Sequence, residues 1–192
     1  MSDTESDHDT AGRVVVDLLR LARPRHWIKN GLVLLPVIFA RRVSDGDAWM
    51  RAGLAAVAFC LASSAVYALN DVVDRREDRL HPGKKQRPLA AGRLSVGAAT
   101  GEALVLTILA LAVSLAAHRL VLLAVLAYLT LQLSYSAFLK HKMLLDAIAI
   151  ATGFVLRAAG GALAIDVPIS PWLVVCTFTL CLFMGFCKRR NE

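Results

Sequence analysis

The sequence predicts an all-α polytopic membrane protein with about six transmembrane helices. Three observations carry this expectation. The 192 residues are 57% hydrophobic and only 19% charged, with a mean hydropathy of +0.56, whereas a soluble domain sits near about 45–50% apolar and about 25% charged. The apolar residues fall in runs near the roughly 20 residues that cross a bilayer. The basic residues gather on alternate sides of those runs, as the positive-inside rule requires. The long apolar runs exclude a disordered chain. Four cysteines, at 60, 176, 181 and 187, are too few for a disulfide scaffold and lie in apolar runs; they read as small buried hydrophobes.

Residues 1–12 are polar and acidic and are expected to be a disordered tail. They lack the basic and apolar regions of a signal peptide. A basic amphipathic stretch follows from Val14 to Arg23. It suits either a helix in the headgroup layer or a plain approach to the first span. Six spans are drawn at 26–42, 51–70, 96–117, 119–138, 143–165 and 169–187. The first is short; Pro24 fits its start and Pro36 should kink it. Pro168 and Pro171 mark the start of the sixth.

One set of span ends carries Arg13, Arg20, Arg23, Arg25 and Lys29, the basic 71–95 segment, Lys140 with Lys142, and Lys188 to Arg190. The other set carries Arg41, Arg42, Arg51 and Arg119. The first set is therefore assigned to the cytoplasm. The net charge of +7, which in a soluble protein would suggest nucleic acid, reads here as a topology signal. No nucleic-acid partner is expected. Anionic lipid or a phosphorylated substrate fits the same surface.

The chemistry concentrates where the second span ends. Asn70, Asp71, Asp74 and Asp78 occupy the start of a loop over 70–95. In a continuing helix, Asp71, Asp74 and Asp78 share one face. Carboxylates so placed suit a hard divalent cation that also holds phosphate; a solvated acidic end paired with Arg75, Arg76 and Arg79 is the other reading. Lys84, Lys85 and Arg87 follow within a few residues. Acids that hold metal beside bases that hold phosphate suit a diphosphate leaving group. His81 reads as a hydrogen-bonding loop residue, since no second ligand lies at metal spacing. Tyr135 marks the end of the fourth span, as a site residue or an interfacial aromatic. Arg157 falls mid-span, where a charge needs a cavity or a partner within the bundle. Glu102 is a candidate partner for some basic group. Gly153, Ala158, Ala159, Gly160 and Gly161 form a packing signal for close helix approach.

At these residues the chain resembles the UbiA superfamily of intramembrane prenyltransferases. Asn70, Asp71, Asp74 and Asp78 match its first aspartate-rich motif, N-D-x-x-D-x-x-x-D. Further matches are to its decaprenyl-phosphate phosphoribosyltransferase branch. They comprise Arg23-Pro24 with Trp27, Lys29 and Asn30; His81-Pro82 with Lys84 and Arg87 to Ala90; Tyr135-Ser136; Leu139-Lys140; Phe154 to Arg157; Pro168 to Trp172; and Lys188 to Glu192. The resemblance runs from about Leu21 to the last residue.

The resemblance implies a nine-helix bundle with a cytoplasm-facing cavity in the bacterial inner membrane, of which this chain looks like the first two thirds. The second acidic motif would begin near Glu192. The implied reaction moves 5-phosphoribose from phosphoribosyl diphosphate to a polyprenyl phosphate and releases diphosphate. On it, Asp71, Asp74 and Asp78 bind Mg²⁺ and Asn70 orients them. Lys29, Lys84, Arg87, Tyr135, Lys140, Arg157, Lys188 and Glu192 are the candidate substrate contacts. Prenyl transfer from a prenyl diphosphate to an aromatic or glycerol-phosphate acceptor is the alternative. A transporter for a phosphorylated solute would show an internal repeat of broken helices, and none is evident. A purely structural membrane subunit would not need the acid row.

Overall fold

The computed structural model describes the backbone of residues 3–136 and 143–190, and side chains over 12–136 and 144–187. The described residues form helices joined by turns, with no strand. The helices are α1 (Asp3–Ala22), a 3₁₀ helix η1 (Pro24–Leu34), α2 (Leu35–Phe39), α3 (Gly46–Val73), α4 (Arg75–Leu80), α5 (Val96–Ala117), α6 (Arg119–Ser134), α7 (Met143–Ala164) and α8 (Pro171–Arg190). Three have the length and composition to cross a membrane: Gly46–Val73, Val96–Ala117 and Leu144–Ala164. Arg119–Ser134 and Pro171–Cys187 are shorter apolar helices.

Helix starts are written in the sequence. Asp45 Oδ1 accepts from the amides of Asp47 and Ala48, at 3.1 and 3.2 Å, and caps α3. Ser95 Oγ accepts from Ala98 N at 3.1 Å and caps α5. His118 Nδ1 accepts from Leu120 N at 3.2 Å and caps α6. Each cap satisfies an amide that has no partner within its helix. α3 is the centre of the bundle and packs against η1, α5, α6 and α7. Its buried positions include Ala48, Ala52, Ala55, Ala58, Ala62 and Ala65, small side chains that admit close neighbours. Phe59 and Tyr128 fill the middle, edge to face at 5.6 Å between centroids.

Two ends of the bundle are distinct. At one, α1, the C-terminus of α3, α4 and the 81–94 turns meet through Arg23–Asp71, Arg87–Asp71, Arg87–Asp78 and Arg93–Asp17 ion pairs. At the other, Arg51 and His118 reach Asp166 at 3.4 and 3.3 Å, and Arg42 Nη1 donates to Ile165 O at 2.9 Å. The segregation of charge read from the sequence thus matches two real ends.

Three expectations change. The segment 26–42 is not an α-helix: it runs as η1 and then α2. It still passes from Arg23 at the acid end to Arg42 at the other. Eleven residues at about 2.0 Å and five at about 1.5 Å reach roughly 30 Å, so the thinner helix offsets the short sequence. Residues 1–12, expected to be disordered, are helical from Asp3. Of the four cysteines, Cys181 is buried and Cys60 half-buried, whereas Cys176 and Cys187 are exposed on α8.

The glycine pair of α7 packs as its sequence suggests. A Cβ on Gly161 would lie 1.9 Å from Val33 O in η1, and one on Gly160 would lie 2.5 Å from the Phe59 ring. The α7 and η1 backbones touch there because no side chain intervenes.

Candidate functional site: the acid row and its arginines

α3 carries Asn70 and Asp71 on its last turn and ends at Asp74, whose backbone (φ −83°, ψ 2°) leaves the helical region. α4 then restarts at Arg75. The acid row is therefore not one continuous face. Asp71 and Asp78 are both buried, 3% exposed, on two successive helices; Asp74 is half-buried at the joint. Arg87 closes the gap. Its Nη1 donates to Asp71 Oδ1 at 3.1 Å and to Asp78 Oδ2 at 2.7 Å. Arg23 Nη2 also donates to Asp71 Oδ1, and its guanidinium lies over the Tyr67 ring at 5.0 Å. Arg75 Nε is buried at the same end and has no hydrogen-bond partner among the described residues.

Arg23 is the residue that the sequence reading left out of the site. Its signal was present but ambiguous: it lies among several juxtamembrane arginines and precedes Pro24. Its backbone is left-handed (φ 52°, ψ 59°), a strained state for a side chain other than glycine. That turn aims Arg23 back at α3.

The end of α6 docks beside the row. Ser136 Oγ donates to Asn70 Oδ1 at 2.6 Å. Tyr135 OH donates to Asp146 Oδ1 at 2.6 Å, and Asp146 is buried at the start of α7. Asn70 on α3 is thus tied to Ser136. The 81–94 segment is a run of turns: Lys84 and Lys85 amides donate to His81 O, at 3.2 and 3.1 Å, and Gly83 N donates to His81 Nδ1 at 3.1 Å. His81 is the loop hydrogen-bonder expected. Lys84 and Lys29 are exposed at this end.

Arg157 is elsewhere. It is 5% exposed in the middle of α7. Nε donates to Asn30 Oδ1 at 2.6 Å, Nη1 to Gly153 O at 2.9 Å and Nη2 to Tyr128 OH at 2.8 Å. The guanidinium also lies over the Tyr128 and Phe154 rings, at 4.6 and 5.2 Å. Of its two readings, pairing within the bundle is the one these contacts match. Glu102, offered as a basic group's partner, has its buried Oε2 without a hydrogen bond among the described residues. Lys140 and Glu192 lie outside the described residues, as does the side chain of Lys188.

The donor set at the acid end is carboxylate oxygen, the chemistry Mg²⁺ takes. The arginines engage Oδ1 of Asp71 and Oδ2 of Asp78; the second oxygen of each takes no part in those bonds. Among the described residues, no three potential ligands are gathered closely enough to hold a metal. The donor chemistry suits the ion, and Arg87 bridges the two carboxylates. An apolar cavity of about 690 Å³, lined by Pro36, Phe39, Trp172 and Cys176 among others, opens between α2 and the start of α8.

The UbiA prenyltransferase family model matches residues 32–189. The chain belongs to the UbiA prenyltransferase family. As such it is a multi-pass helical membrane protein. It is 38% identical to a decaprenyl-phosphate phosphoribosyltransferase of Mycolicibacterium smegmatis over 98% of this chain and 62% of that protein. It is 36% identical to the Corynebacterium glutamicum protein of the same name, over 91% of this chain and 54% of that one. A solved UbiA homologue from Archaeoglobus fulgidus, bound to DMAPP and Mg²⁺, superposes with a TM-score of 0.74 at 26% identity, covering 88% of this chain and 61% of that chain. The chain thus spans about three fifths of the length of the UbiA proteins it matches.

Proposed function

We propose that this UbiA chain takes part in transfer of 5-phosphoribose from phosphoribosyl diphosphate to a polyprenyl phosphate, decaprenyl phosphate in the branch it resembles, with release of diphosphate. The observation that carries the reading is the meeting of Asp71 and Asp78 with Arg87 at the end of α3. Metal-binding and phosphate-binding residue types stand within one hydrogen bond of each other, as a diphosphate leaving group requires. The identity to two phosphoribosyltransferases supports the choice of donor.

The acceptor is already an anionic phosphate, so no strong general base is needed. Positioning and charge neutralisation suffice. Asp71, Asp74 and Asp78 would hold Mg²⁺, which when bound neutralises the departing diphosphate. Asn70, fixed by Ser136, keeps the end of α3 oriented. Arg87, Lys84 and Lys140 neutralise phosphate oxygens, and Lys29 meets the lipid phosphate at the interface. Tyr135 holds Asp146 beside the row, and Lys188 and Glu192 complete the substrate contacts. Arg157 supports the site from within the bundle. The polyprenyl tail lies along apolar helix surfaces open to the bilayer. The basic end faces the cytoplasm of a bacterial inner membrane.

A donor panel tests the reading. Membranes containing the protein are given labelled phosphoribosyl diphosphate with polyprenyl phosphate, or a labelled prenyl diphosphate with an aromatic acceptor. Lipid-soluble product from the first pair supports phosphoribosyl transfer. Product from the second pair alone replaces it with ordinary prenyl transfer.

A further inference from the structure

Arg87 sits between two carboxylates that a cation would otherwise hold. The side chains of Asp71 and Asp78 are each 4% exposed, and that of Arg87 is 29% exposed. Two buried carboxylates facing one gap repel and need a cation. Here one nitrogen of Arg87 serves both. Arg23 is a second cation on Asp71, but it is held differently. A left-handed backbone and the Tyr67 ring fix it. Among the described residues Arg87 has no such ring contact, and it projects from a run of turns beside Lys84 and Lys85.

We propose that Arg87 is a resident counter-cation. In the metal-free chain it bridges Asp71 and Asp78 through one nitrogen. When a divalent cation binds, Arg87 yields both carboxylates and turns its guanidinium to the diphosphate, while Arg23 stays on Asp71. This rests on the reading of Asp71 and Asp78 as metal ligands. Every anion keeps a cation through the exchange: the carboxylates pass from guanidinium to metal, and the guanidinium passes to phosphate, which its planar fork suits. Arg87 therefore opposes binding of the cation alone and favours binding of diphosphate. One residue acts with opposite sign on the two ligands.

The test uses the full chain purified in detergent and two separate probes. Free Mn²⁺ is counted by electron paramagnetic resonance without phosphate present. Retention of ³²P-labelled inorganic diphosphate is measured with Mg²⁺ present. Removing one positive charge about 6 Å from a divalent ion changes its affinity by about tenfold in a water-like dielectric. Arg87→Gln is expected to bind Mn²⁺ about tenfold tighter and diphosphate about tenfold weaker. Arg23→Gln is expected not to show this pair of opposite changes. Unchanged or weaker Mn²⁺ binding by Arg87→Gln that keeps the wild-type thermal transition overturns the proposal. If that variant loses its transition, Arg87→Met, which also removes the charge, decides, with the same two signs expected and unchanged Mn²⁺ affinity overturning the proposal. An Asp71→Asn, Asp78→Asn double variant separates the two levels. Mn²⁺ binding retained there removes the metal reading and this one together. Binding lost there but unchanged in Arg87→Gln removes this one alone.

Discussion

Arg157 in α7 donates its Nε proton to Asn30 Oδ1 in η1 at 2.6 Å, across 127 positions of sequence. Asn30 is itself 1% exposed, and its Nδ2 donates to Cys60 Sγ at 3.2 Å and to Ser63 Oγ at 3.4 Å on α3. One guanidinium and one amide thus tie η1, α3, α6 and α7. The charge is held by amide, hydroxyl, carbonyl and two ring faces rather than by a carboxylate. Neutralising it leaves Asn30 Oδ1 and Gly153 O without these donors. Arg157→Met is expected to cost roughly 3 kcal/mol, seen as a lowered thermal transition in detergent. Arg157→Lys is expected to recover less than half, because one ammonium cannot replace the fork. A transition unchanged in both variants would contradict a structural role.

Close backbone approach gives a second prediction. Gly161→Ala places a methyl 1.9 Å from Val33 O, and a backbone oxygen cannot step aside as a side chain can. η1 must move off α7, at a cost of about 2 kcal/mol or more. Gly153→Ala meets nothing closer than Arg157 Nη1 at 3.5 Å and is expected to change the thermal transition little. Equal effects at the two positions would refute the packing described.

The Ser136–Asn70 hydrogen bond, 2.6 Å long, predicts a graded effect at the site. Ser136→Ala removes a single neutral hydrogen bond, worth about 1 kcal/mol. Transfer activity is expected to fall about fivefold with the thermal transition nearly unchanged. Ser136→Thr keeps the hydroxyl and is expected to recover most of the loss. Full activity in Ser136→Ala would mean that Asn70 needs no orienting partner.

Removing the acids predicts a larger loss. Asp71→Asn and Asp78→Asn each keep the size of the side chain but remove its charge. Each is expected to lower transfer by on the order of a hundredfold. EDTA is expected to abolish transfer in the wild type, and added Mg²⁺ to restore it. Activity that survives EDTA would exclude the metal role assigned to the row.

Much of the architecture was legible because hydropathy and charge are local signals. The boundaries of α5 follow from one apolar run and a Ser95 cap; the sequence span 96–117 and the helix Val96–Ala117 coincide. The glycine pair at 160 and 161 announced a close approach without saying to what. The site was legible in part. Asp71 stood out as an acid closing an apolar span. The shared face of Asp71, Asp74 and Asp78 assumed an unbroken helix, and the break at Asp74 is a backbone event that no residue spacing announces. Arg23 and Arg157 find their partners 48 and 127 positions away, beyond the reach of any window of sequence. The first span misled because helical length was counted at the α rise, whereas η1 is wound as a 3₁₀ helix.

Label placement in the donor tests the proposed activity most directly. Membranes containing the protein receive polyprenyl phosphate, Mg²⁺ and phosphoribosyl diphosphate labelled with ³²P either at the 5-phosphate or at the terminal phosphate of the diphosphate. Phosphoribosyl transfer should carry the 5-phosphate label into the organic phase and leave the terminal label in water as diphosphate. The Asp71→Asn, Asp74→Asn double variant should carry neither label into the organic phase. Terminal label in the lipid, or no lipid label from folded protein in active membranes, would contradict phosphoribosyl transfer at the acid row.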